Sequence, residues 1–361
     1  MESLGLVHTA KTLFENSSAL PPPTTTETFL TPEWDLIYAI IPPYLFILSV
    51  MGFLGNSFVL LIFLLHRGRW TVPEIYLGNL ALADLLLLAS LPFWGVTMLF
   101  QHNWPFGSFL CKAVNLSVVV NFYTSMYMLA MVSVDRYLAL VKTMQAKWLR
   151  RTRYAKAVCL GLWVFGVLMG VPTIVHRKVV PWSQTEDFKA CQLDYPAHSW
   201  KLAQQLLLNV VGFVLPVLVI VFCNLNIVRT LNKRRECVYT PDATDRKATV
   251  LVHAVTILFL LCWVPFQFFT FLDSLCDMGL LDEEAWVLTL DIGNQFSTYL
   301  AFLNSGLNPV LYVFSGQYFR RKVSAIYRTR QQRRGSDMTA QQRSVISTYL
   351  HKTEQIKPAR M

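Results

Sequence analysis

Charge is scarce in this chain. Only 15% of its 361 residues are Asp, Glu, Lys or Arg, against about 25% in a soluble domain, while 54% are hydrophobic and 13% aromatic. A soluble globule and a disordered chain are excluded. No Cys-x-x-Cys pair and no His cluster occurs, so a structural metal has no ligand set. Short strands of alternating polarity are missing, which rules out a transmembrane barrel. So are internal repeats with paired broken helices, the mark of many transporters. Met1–Leu20 has no basic region followed by an apolar core, so no cleavable signal is expected and the first apolar run serves as the targeting signal.

What the chain does have is long uncharged runs: Leu36–Leu65, Ile75–Phe100 (interrupted by Asp84), Ala113–Val134, Ala157–Val175, Leu202–Val228, Ala248–Leu272 and Ala285–Phe319 (interrupted by Asp291). Each reaches the roughly 18 residues that a helix needs to cross hydrocarbon. They predict an all-α membrane protein: a seven-transmembrane helix bundle over 36–315, preceded by an arm over 1–35 and followed by an amphipathic helix over 316–328 and a polar tail over 329–361. Pro172, Pro216, Pro265 and Pro309 fall inside the runs and are tolerable only where neighbouring helices satisfy the freed backbone groups, so they mark kinks and not breaks. Of the 32 Lys and Arg, 25 lie on the alternating connections that include the C-terminal tail, six lie on the opposite ones, and Arg136 is inside the third run. The tail is therefore cytoplasmic and the N-terminus extracellular. Fourteen of the 22 acids fall on the outer side, which makes that mouth net acidic.

Asn16-Ser17-Ser18 is a glycosylation acceptor on the outer side, ahead of a Pro/Thr-rich linker at Pro21–Thr28. Asn115-Leu116-Ser117 matches the same pattern by chance, inside the third run. Cys111, Cys191 and Cys276 reach the oxidising outer face. A Cys111–Cys191 bond would tie the loop before the fifth helix over the bundle; the alternative is three free thiols, which is uncommon in that compartment. Charge within a span costs at least ~2.5–3.5 kcal/mol, so Asp84 and Asp135-Arg136 each need a reason. Asp84 can meet Asn56, Asn121, Ser125, Asn304 and Asn308, enough oxygens for a small hard cation such as sodium. The alternative is a polar network that only fixes helix packing. Asp135-Arg136-Tyr137 sits where the third helix leaves the membrane, where an interfacial ion pair is the plain alternative to a functional one.

Several features follow one another in a fixed order. Gly55-Asn56 lies in the first helix, Leu80-Ala81-Leu82-Ala83-Asp84 in the second, Cys111 and Asp135-Arg136-Tyr137 in the third, and Trp163 in the fourth. Pro216 follows in the fifth, Cys262-Trp263-Val264-Pro265 in the sixth and Asn308-Pro309-Val310-Leu311-Tyr312 in the seventh. Together they resemble the rhodopsin-like G-protein-coupled receptors. Longer strings, such as Glu74-Ile75-Tyr76-Leu77-Gly78-Asn79-Leu80, Leu208-Asn209-Val210-Val211-Gly212-Phe213 and Trp263-Val264-Pro265-Phe266-Gln267, resemble the bradykinin (kinin) receptors, the constitutive subtype more than the inducible one. Two departures point to a non-mammalian member: Val119 replaces the Lys or Ser of the mammalian subtypes, and the N-terminal arm carries no Cys, which leaves Cys276 without the partner that the constitutive subtype supplies.

The resemblance implies a plasma-membrane receptor, not an enzyme, for a cationic kinin-type peptide. It implies coupling mainly to Gq and calcium release, with Gi as a second choice, and recruitment of arrestin and receptor kinases to the tail, where Thr339, Ser344, Ser347, Thr348 and Thr353 stand ready. It makes Asp273 and Asp291 the acids that hold the peptide's amino-terminal arginine, Trp263 the sensor at the pocket floor, and Asp135, Arg136, Tyr137 and Tyr312 the groups that admit the G protein. Helical spacing below Asp291 turns Gln295 and Thr298 toward the same cavity. Trp94, Trp104, Phe266, Phe269 and Tyr299 are the aromatics available to apolar side chains of the ligand. A biogenic amine is disfavoured because Val118 stands where a carboxylate is needed, and a retinal chromophore because Phe302 stands where the Schiff-base lysine is needed. Phe319, Val323, Ile326 and Tyr327 among basic residues predict a helix lying on anionic membrane lipid, so nucleic acid is not the partner of these charges. The rivals are a receptor for another peptide, angiotensin-like or chemokine, and an ion transporter built on Asp84.

Overall fold

A computed structural model describes residues 32–65, 68–142, 148, 150–181, 188–236, 243–315 and 323–324. Asn16, the tail hydroxyls and all of the expected 316–328 helix except 323–324 lie outside the described residues, as does the side chain of Tyr312. The elements run α1 (Pro32–Leu65), α2 (Val72–Leu99), α3 (Gly107–Leu140), α4 (Thr152–Met169), α5 (Val171–His176), β1 (Arg177–Pro181), β2 (Lys189–Leu193), α6 (His198–Leu207), a π-helical stretch (Leu208–Val214), α7 (Leu215–Glu236), α8 (Ala243–Asp277) and α9 (Glu283–Ser315). The fourth span is α4 with α5, and the fifth is α6 through α7. Six spans are long and apolar enough to cross a bilayer on composition alone. The seventh, α9, dilutes its apolar residues with Asp291 and several amides, and packs against α8 and α1 to complete the bundle.

The bundle has the polarity of a protein whose solvent is lipid. Leu61, Leu64, Leu218, Phe222 and Leu261 face outward, while Asn56, Asp84, Asn121, Asn304 and Asn308 are buried at its centre. Local sequence starts the helices in ordinary ways. Thr71 and Glu74 form a capping box at the head of α2, with the Thr71 amide 2.7 Å from Glu74 Oε2 and Pro73 in the first turn, where a missing N–H does no harm.

Prolines inside helices do leave a carbonyl without its donor, and three of these carbonyls are met from another span. Pro92 cannot serve the Leu88 carbonyl, which accepts a 2.7 Å bond from Ser49 Oγ of α1. Pro309 cannot serve the Ser305 carbonyl, which accepts a 2.9 Å bond from Asn56 Nδ2 of α1. In the i→i+5 ladder of the π-helical stretch, the donor owed to the Val211 carbonyl is residue 216, again a proline, and the Tyr127 hydroxyl of α3 supplies it at 2.8 Å. The wide turn lets the backbone come close to α3: a Cβ on Gly212 would lie 2.5 Å from Phe122 Cε1. At Pro172 the expected kink is instead an interruption at Gly170 that separates α4 from α5, since Pro172 has no N–H to continue the ladder.

An antiparallel hairpin, absent from the expected elements, pairs β1 with β2 in the register Val179↔Cys191. Its strands are short and mixed in polarity, so no alternation announces them. The hairpin is pinned to the outer end of the bundle by the Trp104 amide on the Lys189 carbonyl (2.7 Å) and the Lys189 amide on Asn103 Oδ1 (3.1 Å).

If Ser49 is there to serve the carbonyl that Pro92 strands, Ser49→Ala lowers stability by about 1 kcal/mol. In a Pro92→Ala background, whose restored N–H serves Leu88, the same substitution becomes nearly neutral. Thermal unfolding of the detergent-solubilised variants checks this; equal losses in both backgrounds contradict it.

Candidate functional site

A cavity of about 1300 Å³, its open mouth included, lies between the outer ends of the spans. Its walls carry Trp94 of α2, Asn115 and Val119 of α3, Arg177 of β1, Gln205 of α6, and Asp273, Gln295, Thr298 and Tyr299 of α8 and α9, and Phe122 and Phe266 lie deeper. Asp291, Gln295, Thr298 and Phe302 follow the i, i+4, i+7, i+11 spacing of one helical face. Of these, Gln295, Thr298 and Phe302 line the cavity and Asp291 stands one turn nearer the rim, half-buried, interacting electrostatically with the Asp273 carboxylate. Trp94, Phe266 and Tyr299 are lining residues as expected. Trp104 is not: it is buried beneath the hairpin in a cluster with Cys111 and Val114, its indole N–H on the Gly107 carbonyl. Nor is Phe269, whose ring packs against Gly293 so closely that a Cβ there would fall 2.2 Å from it.

Asp273 is not a bare acid. Gln205 Nε2 donates to its Oδ2 at 2.6 Å, and Lys201 Nζ lies 4.0 Å away. The same lysine donates to Asp277 at 3.0 Å, and a His198 ring nitrogen meets the Asp277 carbonyl at 2.9 Å. Between α9 and its preceding loop, Asp282 Oδ1 accepts from the Glu284 amide at 3.2 Å, an N-cap role that accounts for this acid without a ligand.

On the opposite wall, the Cys111–Cys191 disulfide joins α3 to β2 with Cα atoms 5.8 Å apart. Asn115, 2% exposed, donates to the Cys111 carbonyl at 2.7 Å and accepts from the Arg177 guanidinium, which also donates to the Cys191 carbonyl at 3.2 Å. This buried amide is a structural staple between helix, hairpin and disulfide, and no glycan fits there.

Trp263 lies one layer beneath the cavity lining. Its ring contacts Phe122 and Phe266, with centroids 4.8 and 5.9 Å away, and stacks on Phe259 at 5.9 Å. Among the described residues its indole N–H meets no acceptor, so packing alone sets its rotamer. Lower still, Asp84 accepts from Asn121 Nδ2 at 3.1 Å and Asn308 Nδ2 at 2.9 Å, and Asn121 also reaches Ser125 Oγ at 3.1 Å. Ser305, one turn before Asn308, has its hydroxyl close to the same carboxylate. Asn56 enters through the Ser305 carbonyl, and no bond between Asn304 and Asp84 is present. The amide oxygens of Asn56, Asn304 and Asn308 are buried without a donor among the described residues. At the inner end Asp135 faces two cations: Arg150 Nε at 2.9 Å and Arg136 Nε at 4.0 Å. Tyr137 leans on Phe222 of α7, centroids 5.8 Å apart.

Lys201, Gln205, Arg177, Ser305 and His102 escaped the sequence reading. Ser305 is one turn before Asn308, so phase could have found it; Lys201 and Gln205 share one helical face, but the π-helical stretch after them hides where that face points; Arg177 looked like one more loop cation, and nothing marked His102.

Comparison with known proteins gives a consistent picture. The sequence profile of the 7 transmembrane receptor (rhodopsin family) matches residues 55–312. The chain is 44% identical to the B2 bradykinin receptor of Mus musculus over 310 residues, covering 84% of this chain and 78% of that one. It is 42% identical to the B2 bradykinin receptor of Sus scrofa over 318 residues (87% and 86%), and 39% identical to the B1 bradykinin receptor of Macaca fascicularis over 318 residues (87% and 90%).

His102, between α2 and α3, lines the cavity with its ring edge-on to Tyr38, centroids 5.8 Å apart. Burial pushes its imidazole down to about 4, against about 6.5 when unfolded. The ring is therefore neutral at pH 7. Its contribution to stability is full above pH 6.5 and declines as pH falls toward 4, because the unfolded chain takes up the proton first. His102→Asn is expected to flatten the loss of thermal stability between pH 7 and 5; an unchanged slope places that titration elsewhere.

Proposed function

The chain belongs to the rhodopsin family of seven-transmembrane receptors, multi-pass proteins of the plasma membrane, and we propose that within it this receptor binds a cationic peptide of the kinin type. The observation that carries this function is the pair of carboxylates, Asp273 and Asp291, on neighbouring helices at the mouth of a cavity whose deeper surface is aromatic. An acidic mouth draws a basic ligand in and holds its charged end. The aromatic depth takes its apolar side chains. Arg177, on the wall away from these acids, adds positive charge where a peptide's carboxyl end would lie.

The peptide's basic start engages Asp273 and Asp291 while its body presses on Phe122 and Phe266. Both rings touch Trp263, whose rotamer no hydrogen bond fixes, so pressure at the floor moves the indole. The shift propagates past the Asp84 network that joins α2, α3 and α9 and favours the state in which Arg136 is released to a G protein. Asp135 is already held more closely by Arg150 than by Arg136, so Arg136 leaves without stranding the buried carboxylate. Coupling runs mainly to Gq and calcium release, with Gi second. Arrestin and receptor kinases act on the tail, and the segment over 316–328 rests on anionic lipid.

The buried oxygens around Asp84 fit a sodium ion: one carboxylate, Ser125 Oγ and amide oxygens that otherwise lack donors. Bound there, sodium would neutralise Asp84 and favour the inactive packing. Asp84→Asn is then expected to abolish any effect of sodium, relative to choline, on agonist affinity; a sodium effect that persists removes the ion from this site.

In cells displaying the chain, bradykinin is expected to release calcium. Asp273→Ala with Asp291→Ala should raise the half-effective concentration by about a hundredfold at unchanged surface expression. Silence toward kinin peptides, with a response to angiotensin-like or chemokine ligands, overturns the kinin assignment.

A further inference from the structure

The acidic mouth already contains a cation. Lys201, in the first turn of α6, donates to Asp277 Oδ1 at 3.0 Å, lies 3.0 Å from Oδ2 of the same carboxylate and 4.0 Å from Asp273 Oδ2. Its side chain is only 16% exposed, against 55% for Lys178 in its equally short pair with Asp194. The exposed pair is worth almost nothing. The sheltered one acts through less water and is felt more strongly. Gln205, one turn along α6, donates to Asp273 as well, so one face of α6 is committed to the two acids of α8. Asp291, across the mouth on α9, meets no cation among the described residues. Among the described residues, one lysine is thus set against three carboxylates, Asp273, Asp277 and Asp291, and lies nearest the two on the sixth span.

We propose that Lys201 is a built-in counter-cation that competes with the ligand's positive end for Asp273 and so sets which peptides the mouth accepts. The proposal rests on the kinin-type function above and assigns it a specificity-determining residue. An arriving arginine meets Asp291 unopposed, but it engages Asp273 only by moving Lys201 fully onto Asp277. That displacement is short, because the ammonium is already 1 Å nearer to Asp277, as 3.0 Å compares with 4.0 Å. Lys201 therefore lowers affinity for any peptide that uses Asp273 and leaves peptides without an amino-terminal charge untouched.

The test compares wild type with Lys201→Gln at equal surface expression, using bradykinin and a citrulline analogue, in which the amino-terminal arginine is replaced by N-acetylcitrulline so that neither its side chain nor its amino group is charged. Lys201→Gln is expected to tighten bradykinin binding by roughly fivefold, to leave the citrulline analogue unchanged, and to lose its effect in an Asp273→Asn background. Unchanged or weaker bradykinin binding overturns the proposal, and so does an equal gain for both peptides. If bradykinin binds neither chain, the kinin-type function fails and the counter-cation is decided without ligand. Lys201→Gln must then lower the melting temperature of the purified receptor, and must not lower it when Asp273 and Asp277 are both Asn. Equal lowering in the two backgrounds overturns it.

Discussion

In hydrocarbon a backbone carbonyl without a donor has no water to fall back on. Several prolines of this chain create such carbonyls, and at three of them, Leu88, Ser305 and Val211, a side chain from a different span answers. The consequence is positional. Ser49 and Asn56 lock α1 to α2 and α9, and Tyr127 locks α3 to the fifth span. Each of these three kinks is therefore also a joint whose partner is specified, and the outer halves of these helices are aimed by those joints. The fifth span shows the effect most directly. Its π-helical stretch inserts extra residues into the turn and rotates everything on its outer side by about 100° per residue inserted. That rotation places Lys201 and Gln205 against the acids of α8.

The same scarcity of water governs the charged groups. Asp84 is tolerated because amides from α3 and α9 donate to it, so the polar centre ties three spans together. Arg177 is tolerated because Asn115 and the Cys191 carbonyl receive its N–H groups, which makes the disulfide, the hairpin and α3 one unit. At the rim, water is nearer and the rules relax. There the acids keep part of their surface exposed, and Asp273 shares Lys201 with Asp277.

Much of this was legible in the chain because it follows from composition and spacing. Seven uncharged runs and the disulfide partners Cys111 and Cys191 reappear in the bundle, and the bonds of Asn121 and Asn308 to Asp84, with Ser125 held by Asn121, follow the ordered motifs. What could not be read depends on rotation and on contacts between distant segments. A π-helical turn has no composition of its own, so the phase of α6 was hidden and with it Lys201. The hairpin lies in a loop whose pairing is set by the disulfide and by Trp104, not by alternation, and this is why Trp104 looked available to a ligand when it is buried. Ser305 was overshadowed by the asparagines on either side of it, although it lies on the same face as Asn308.

The vertical order of these parts divides the work. The rim carries charge, so under the proposed function it would discriminate by the number and placement of positive groups, over distances of several ångströms where water still screens. The layer below is aromatic and close-packed, so it responds to shape: Phe122, Phe266 and Trp263 share one contact cluster, and displacing any ring displaces the others. The polar centre below that is discrete, because hydrogen bonds among Asp84, Asn121 and Asn308 are either made or broken and tolerate little intermediate strain. Under the proposed function, a graded electrostatic attraction at the top would be converted, through a stiff aromatic layer, into a choice between two hydrogen-bonded arrangements. A switch demands that conversion, since attraction alone would hold a ligand without altering the inner face.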